Sequence, residues 1–353
     1  MNSSKELSEL VEVLLKEGAS DLHLGEGRQP IIRINSTLFP LSNKPTSSKD
    51  YIYGILDELL NTENKKRFLE LKQVDFAYSH GGRARFRGNA YFQQGLIGIA
   101  LRHIPDKIKT LQELNLPPVL ETFTDRKQGF FLVVGPVGQG KSTTLASLIE
   151  MINEKRTEHI ITIEDPIEYI FKEKKSIIDQ REIRMDTPDF YSALRNVFRQ
   201  DVNVVLVGEM RETETISTAV TAAETGHLIF STLHTNSAAQ TIERIVDAFP
   251  AAQQNQIRLQ VAGSLSGIFS QRLIPKISGG LVPAYELLIN NTAVSNIIRE
   301  NRVHEIDTVI ETSSSEGMID LNRSLVELVR KGDISIESAY RYSNNVKTLE
   351  KLL

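Results

Sequence analysis

No cysteine occurs anywhere in the 353 residues. That excludes disulfides and thiolate-held metals, and it fits a reducing cytoplasm. Long apolar runs are missing too: none approaches the ~20 residues that span a bilayer, so any association with a membrane has to come through a partner. The first residues, MNSSKELSELVEVLLKEG, are charged and amphipathic and do not read as a signal peptide. Nor is there an excess of charge of one sign. With 41 Lys and Arg against 45 Asp and Glu, the net charge is −4, which disfavours a protein that coats nucleic acid. Internal repeats and low-complexity tracts are also absent.

The length suggests two or three domains. Leu7, Leu10, Val11, Leu14 and Leu15 recur at helical spacing before a stop at Gly18. PIIRINSTLFPL is strand-like, and residues 48–71 predict two short helices. Residues 74–104 predict antiparallel strands turning at Gly81-Gly82. This is an α+β pattern, ending in a proline-containing segment, residues 105–118, that reads as a linker with a short helix inside it. Beyond it the pattern changes. Apolar runs of strand length (FFLVV, HIITI, NVVLV, HLIFSTL) alternate with helical stretches, the pattern of a mostly parallel sheet covered on both faces. From about residue 291 the chain reads as helices. The expected organisation is an N-terminal domain over 1–104, a linker over 105–118 and an α/β domain with a helical C-terminal region over 119–353.

The most specific feature is GPVGQGKSTT, which follows the strand GFFLVV and opens a helix. It contains G-x-x-x-x-G-K-S, a phosphate-binding loop. The loop residues Gly135, Pro136, Val137, Gly138, Gln139 and Gly140 let the backbone turn its N–H groups toward phosphates, and the new helix adds the positive end of its dipole. Lys141 is suited to the β- and γ-phosphates of ATP, and Ser142, followed by Thr143, to a Mg²⁺ ion. Hydrolysis needs more: a carboxylate to hold the ion and a group to orient water. Two acidic sites follow apolar runs, where an open α/β sheet binds ligands. They are Glu164, Asp165 and Glu168 in HIITIEDPIEYIF and Glu209 in NVVLVGEMRE. The residues alone do not say which carboxylate takes which role.

Arg83, Arg85 and Arg87 alternate along GRARFRGNAYF and so share one face of a strand, with Arg102 on the next one. Such a face is either solvated or set to stabilise a transferring phosphoryl group across a domain or subunit boundary. TGHLIFSTLHTNSA holds His227 and His234 at its two ends, with no third ligand that would make a zinc site. Seven residues of extended strand separate them by roughly 23 Å, so they serve different places. His234, beyond the strand's C-terminal end, suits the γ-phosphate; His227 suits a neighbouring subunit or a domain joint.

Together these motifs resemble the type II/IV secretion ATPase superfamily, and within it the pilus retraction ATPases of the PilT type. The resemblance spans ASDLHL at 19–24, RFRGNA at 85–90, the phosphate-binding loop, the Asp box TIEDPIEY at 162–169, the Walker B segment VVLVGEMRE at 204–212 and the His box at 225–238. AVSNIIRE at 293–300 is similar to the motif AIRNLIRE of retraction ATPases, and EGMIDLNRSL at 316–325 to the family's C-terminal region. The resemblance implies a PAS-like N-terminal domain, a RecA-like ATPase domain and a ring of six subunits. It further implies ATP and Mg²⁺ as cofactors, an inner-membrane pilus platform protein as partner, and a cytoplasmic place peripheral to that membrane. Glu164 would then be the general base and Glu209 the Mg²⁺ organiser. Arg85, Arg87 and Arg102 would act on phosphates, and His227 and His234 would sense the nucleotide. The chain departs from the family at Val202 and Asn203, at Glu212, at Val294 and Ser295, and at Gly95, where an arginine is usual. Three other readings compete. A pilus assembly or secretion ATPase usually carries a further N-terminal domain and often a four-cysteine zinc site. An accessory or scaffold subunit of low turnover is supported by Gly95 alone, and for a DNA motor no basic, aromatic-interleaved groove is visible.

Overall fold

A computed structural model describes residues 3–34, 37–105 and 107–353. The chain forms two compact units, residues 1–107 and 108–353. Asp106, within the expected linker, lies outside the described residues.

In the first unit, helix α1 (Ser3–Lys16) leads into strands β1 (Asp21–Gly25), β2 (Ile31–Ile34) and β3 (Thr37–Pro40). Helices α2 (Lys49–Leu59) and α3 (Thr62–Leu71) precede the long strands β4 (Gln73–His80), β5 (Ala84–Gln93) and β6 (Leu96–Ile104). The strand-like stretch 30–41 is thus two strands, β2 and β3, paired antiparallel. All six strands form one antiparallel sheet in the order β3-β2-β1-β6-β5-β4. The helices put Leu7, Leu10, Leu14, Ile52, Ile55 and Phe68 into a core with the inward residues of the sheet. Period-two alternation is clean on β5: Phe86, Gly88 and Ala90 are buried, while Arg85, Arg87 and Asn89 face the other way.

Register then builds a charged row on that outer face. Arg87 stands opposite Arg102, Arg102 opposite Asp21, and Asp21 opposite Arg33. The carboxylate of Asp21 accepts from Nε of Arg102 at 2.9 Å and lies 3.8 Å from Nε of Arg33. This offsets the like-charge repulsion expected across adjacent strands. The role of ASDLHL within the unit is therefore visible: its aspartate holds one of the arginines that the sequence singles out.

The second unit begins on a segment that is less of a linker than its prolines suggest. Leu111, Leu116 and Leu120 are buried against Phe123 and Phe131. Where a short helix is expected there is a turn, closed by Glu113 accepting from the backbone N–H of Thr110 and by Thr110 Oγ1 accepting from that of Glu113. Asn115 in a left-handed conformation and the prolines after it keep that turn from continuing as a helix. A one-turn helix α4 (Glu121–Thr124) leads to β7 (Gly129–Val134), the phosphate-binding loop and α5 (Lys141–Lys155). Then follow β8 (His159–Glu164), β9 (Ile177–Glu182), α6 (Phe190–Val197), β10 (Val204–Val207), α7 (Thr213–Glu224), β11 (Leu228–Leu233), α8 (Ala238–Asp247) and α9 (Ala251–Ser264). Strands β12 (Leu265–Pro275) and β13 (Leu281–Ile289) form a hairpin. Helices α10 (Thr292–Arg299), α11 (Ile306–Thr312), α12 (Leu321–Arg330), α13 (Ile336–Tyr342) and α14 (Val346–Leu352) close the chain.

The sheet runs β13-β12-β7-β11-β10-β8-β9, parallel except for β13. Strands β7, β10 and β11 are buried along their whole length, as continuous apolar runs covered on both faces must be. The helices of α5 and the segment before β7 cover one face, and α6 to α9 cover the other.

Gly88 sets the limit of packing in the first unit, because a Cβ there would stand 2.2 Å from the Phe76 ring. Gly88→Ala should therefore cost about 1–3 kcal/mol of stability, as overpacking of a filled core does, read as an earlier urea transition. An unshifted transition would mean that Phe76 moves aside freely.

Candidate active site

The parallel register brings the carboxyl ends of four strands together. Val134 pairs with Leu233, Ser231 with Val207, and Val207 with Ile163. The residues that follow those pairs meet at one edge: the loop from Gly135, His234 after β11, Gly208-Glu209 after β10, and Glu164 at the end of β8. They line a pocket of ≈ 200 Å³ together with Lys141, Ser142, Asp165 and Glu168.

The loop takes its shape from glycines and from its neighbour strand. Gly135, Gly138 and Gly140 all have positive φ, and Gly140 leads directly into α5. Beside β7 lies β12, whose Gln271 holds the loop by three routes. Its Nε2 donates to the carbonyl of Gln139 at 2.8 Å, its Oε1 accepts from Thr144 Oγ1 at 2.6 Å, and its carbonyl would stand 2.4 Å from any Cβ at Gly135. Gln139 in turn accepts from the backbone N–H of Leu273 at 2.7 Å. Pro136 offers its carbonyl to Lys141, while Val137 is 81% exposed at the loop tip. Thr143 on the first turn of α5 shares a 2.8 Å hydroxyl contact with Tyr169 of the Asp box.

Lys141 is buried, and its ammonium donates to the carbonyls of Gly135 and Pro136, each at 2.9 Å. Burial lowers its pKa, opposed by Glu168 and Glu209. Its Nζ also lies 3.4 Å from Nδ1 of His234, whose Nε2 is 3.5 Å from Oε2 of Glu209. An ammonium has no lone pair, so this contact assigns the ring proton to Nε2, facing the carboxylate. Burial and the Lys141 charge together lower the His234 pKa, which favours that neutral ring. Glu209 Oε2 is also 2.9 Å from Arg211.

Glu164 is in a different environment. It is 8% exposed, and burial pushes its pKa up to about 7. Thr162 Oγ1 donates to its Oε1 at 2.6 Å and the Glu168 backbone N–H to its Oε2 at 3.3 Å, which partly offsets that rise. Gln180 on β9 secures the Asp-box loop, donating to the carbonyl of Tyr169 at 2.7 Å and accepting from the N–H of Phe171 at 2.9 Å. Two nearby carboxylates thus differ: Glu164 is enclosed and proton-hungry near neutrality, while Glu209 is more open and paired with Arg211.

Within the second unit, one residue singled out in the sequence lies away from this pocket. His227 sits at the other end of β11, its Nδ1 3.1 Å from the Ala222 carbonyl and its ring edge-on to Phe198 at 5.4 Å between centroids. Arg85, Arg87 and Arg102 belong to the first unit. Thr162, Gln180 and Gln271 were not singled out, because a polar residue inside a strand carries no motif that marks which loop it will hold.

A family model described as "Type II/IV secretion system protein" matches residues 107–280. The chain is 44% identical over 334 residues to "Type IV pilus retractation ATPase PilT" of Pseudomonas aeruginosa, covering 95% of this chain and 97% of that protein. This chain belongs to the PilT-type branch of the type II/IV secretion ATPases. "Type IV pilus ATPase PilU" of the same organism is 36% identical and covers 99% of this chain and 91% of its own length. A solved structure titled "Crystal Structure of the Pilus Retraction Motor PilT and Bound ADP" superposes with a TM-score of 0.92 at 44% identity, covering 97% of this chain and 98% of that one. The parallel-sheet unit is therefore the RecA-like ATPase domain of this family, and the first unit is its smaller α+β partner.

The raised pKa of Glu164 links to stability. Between about 4.5 and about 7 the folded state holds a proton that the unfolded state has lost, so stability falls as pH rises through that window and then levels off. Glu164→Gln should melt at a higher temperature than the wild type at pH 8 and show little difference at pH 5, both free of nucleotide. Equal melting temperatures at pH 8 would show that Glu164 is not a buried charge there.

Proposed function

We propose that this chain hydrolyses ATP as a homohexamer and uses the turnover to power retraction of a type IV pilus. The observation that carries the reading is an enclosed carboxylate, Glu164, facing a phosphate-binding loop whose lysine is already gathered into the same pocket. The near full-length identity to a retraction ATPase supplies the direction of work. The domains follow the sequence in outline: residues 1–104 as a PAS-like domain and 119–353 as the ATPase domain, with the intervening segment packing Leu111 and Leu116 into the core of the second unit.

ATP phosphates accept from the loop N–H groups between Gly135 and Thr143, and Lys141 exchanges its two carbonyls for the β- and γ-phosphates. Glu164 takes the proton of the attacking water, a task suited to a base that titrates near the working pH. Mg²⁺, when bound with the nucleotide, supplies neutralisation of phosphate charge. Among the described residues no group of three or more His, Cys, Asp or Glu could hold a metal ion. The Ser142 hydroxyl and the Glu209 carboxylate line the pocket instead, and two oxygen ligands suit a small hard cation that keeps phosphate oxygens and water as its remaining partners. His234 lies between Lys141 and Glu209 and reports whether the γ-phosphate is present. Arg85, Arg87 and Arg102 stabilise phosphate charge from another subunit or domain, and His227 serves a subunit or domain joint. No described helix is long and apolar enough to cross a membrane. Force reaches the pilus through an inner-membrane platform protein, a reading supported by the likeness to the pilus retraction ATPases.

An accessory retraction role is the second reading, favoured by Gly95. Gln94 and Gly95 both have positive φ at the tight β5–β6 turn, a geometry that favours glycine at the second of the two positions. A deletion strain separates the readings. Excess pili that do not retract support a principal retraction motor, retraction that persists but weakens supports the accessory role, and a bald strain contradicts both.

For the purified protein, turnover should rise with pH through about 7 as Glu164 loses its proton. Glu164→Gln should lower kcat by about 10²–10⁴-fold, the range for loss of a general base, with ATP still bound. Lys141→Ala should lose turnover and ATP binding together, and His234→Ala should lower turnover more than binding. Wild-type turnover in Glu164→Gln would remove Glu164 from the base role.

A further inference from the structure

The hairpin β12–β13 does more than back the phosphate-binding loop. Its second strand carries Glu286, which is 4% exposed and stands opposite Ser270 in the antiparallel register. Glu286 Oε1 accepts from the backbone N–H of Ala238 at 2.7 Å, at the first turn of α8. Ser270 Oγ donates to the carbonyl of Asn236 at 3.0 Å. The loop from His234 to α8 is thus tied to the hairpin by one bond from each strand, while Gln271 of the same hairpin ties the phosphate-binding loop.

The carboxyl is placed at a cost. Burial pushes the Glu286 pKa up to about 7, with Asp307 of α11 and Asp320 before α12 adding to the rise; the Ala238 N–H and Arg272 of β12 oppose it. An apolar side chain would fill the same space without that penalty. What it could not supply is an acceptor for a buried N–H at a helix start. The acid is out of reach of the nucleotide pocket, so its service is to the loop that presents His234.

We propose that Glu286 is a positioning residue for ATP turnover: it fixes the His234 loop from the side of the C-terminal helices, and its effect passes through His234. This rests on the role given to His234 under the proposed function.

A double-mutant cycle on the purified full-length protein tests it, with steady-state ATPase for kcat and KM and equilibrium binding of a fluorescent ATP analogue. Glu286→Leu should lower kcat by about tenfold, the cost of leaving one buried donor unpaired, with KM and analogue affinity changed by less than about twofold. Glu286→Gln, which keeps an acceptor oxygen, should recover most of that turnover. In a His234→Ala background, Glu286→Leu should add almost no further loss. Multiplied losses in the double variant, or equal falls in kcat and analogue binding, would overturn the proposal. Wild-type turnover in His234→Ala alone would instead remove the His234 reading and the proposal with it, so the two failures are told apart by that single variant. If Glu286→Leu does not fold, Ser270→Ala carries the same cycle, because it removes the other bond to the same loop; multiplied losses there overturn the proposal equally.

Discussion

An ammonium ion taken out of water needs partners, and the arrangement of this ATPase site follows from where Lys141 finds them. They are the carbonyls of Gly135 and Pro136, contributed by the lysine's own loop, with Nδ1 of His234 a longer contact at 3.4 Å. Those contacts hold the loop closed upon its own charge. They also connect the loop to Glu209 through the imidazole, so that the lysine, the histidine and the carboxylate form one electrostatic unit. A polyanion bound here would replace the carbonyls as partner to Lys141 and so would change what His234 and Glu209 face. Sensing and binding are, on this account, the same exchange of partners.

The strands that frame this exchange are rigid because they are buried on both faces, and the polar groups that aim the loops come from strand positions next to the site. Gln271 fixes the phosphate-binding loop, Gln180 the Asp box, and Ser270 and Glu286 the His box. Each one gives a loop backbone group a hydrogen-bond partner. A motor needs loops that are exact in position yet released in turn by its ligand. Side-chain anchors meet both needs better than a continuous ladder of backbone bonds, since each can be broken singly.

Much of this was legible in the sequence. The apolar runs of β7, β8, β10 and β11 marked a doubly covered parallel sheet, and the glycines and lysine of the loop marked its ligand, because those features are local and periodic. Glu164 and Glu209 stand out as acids at strand ends, and only the family resemblance assigns them separate roles; the fold adds that the first is enclosed and the second pairs with Arg211. Strands β9, β12 and β13 were missed for a related reason. Their sequences mix polar with apolar residues, as in SIIDQREI and FSQRLIP, because the polar ones reach loops distant in the chain. The stretch 105–118 misled in the opposite sense: its prolines signalled a linker, while the burial of Leu111 and Leu116 required knowing the surface they meet.

If Lys141 trades its loop carbonyls for phosphate, His234 is freed in the same step. A crystal structure of the wild-type protein with magnesium and a non-hydrolysable ATP analogue tests it most directly. The account predicts Lys141 Nζ within hydrogen-bond distance of phosphate oxygens, no longer bonded to the carbonyls of Gly135 and Pro136, with His234 turned to the γ-phosphate. Analogue bound while Lys141 keeps both carbonyls and His234 keeps its place beside Glu209 would contradict it.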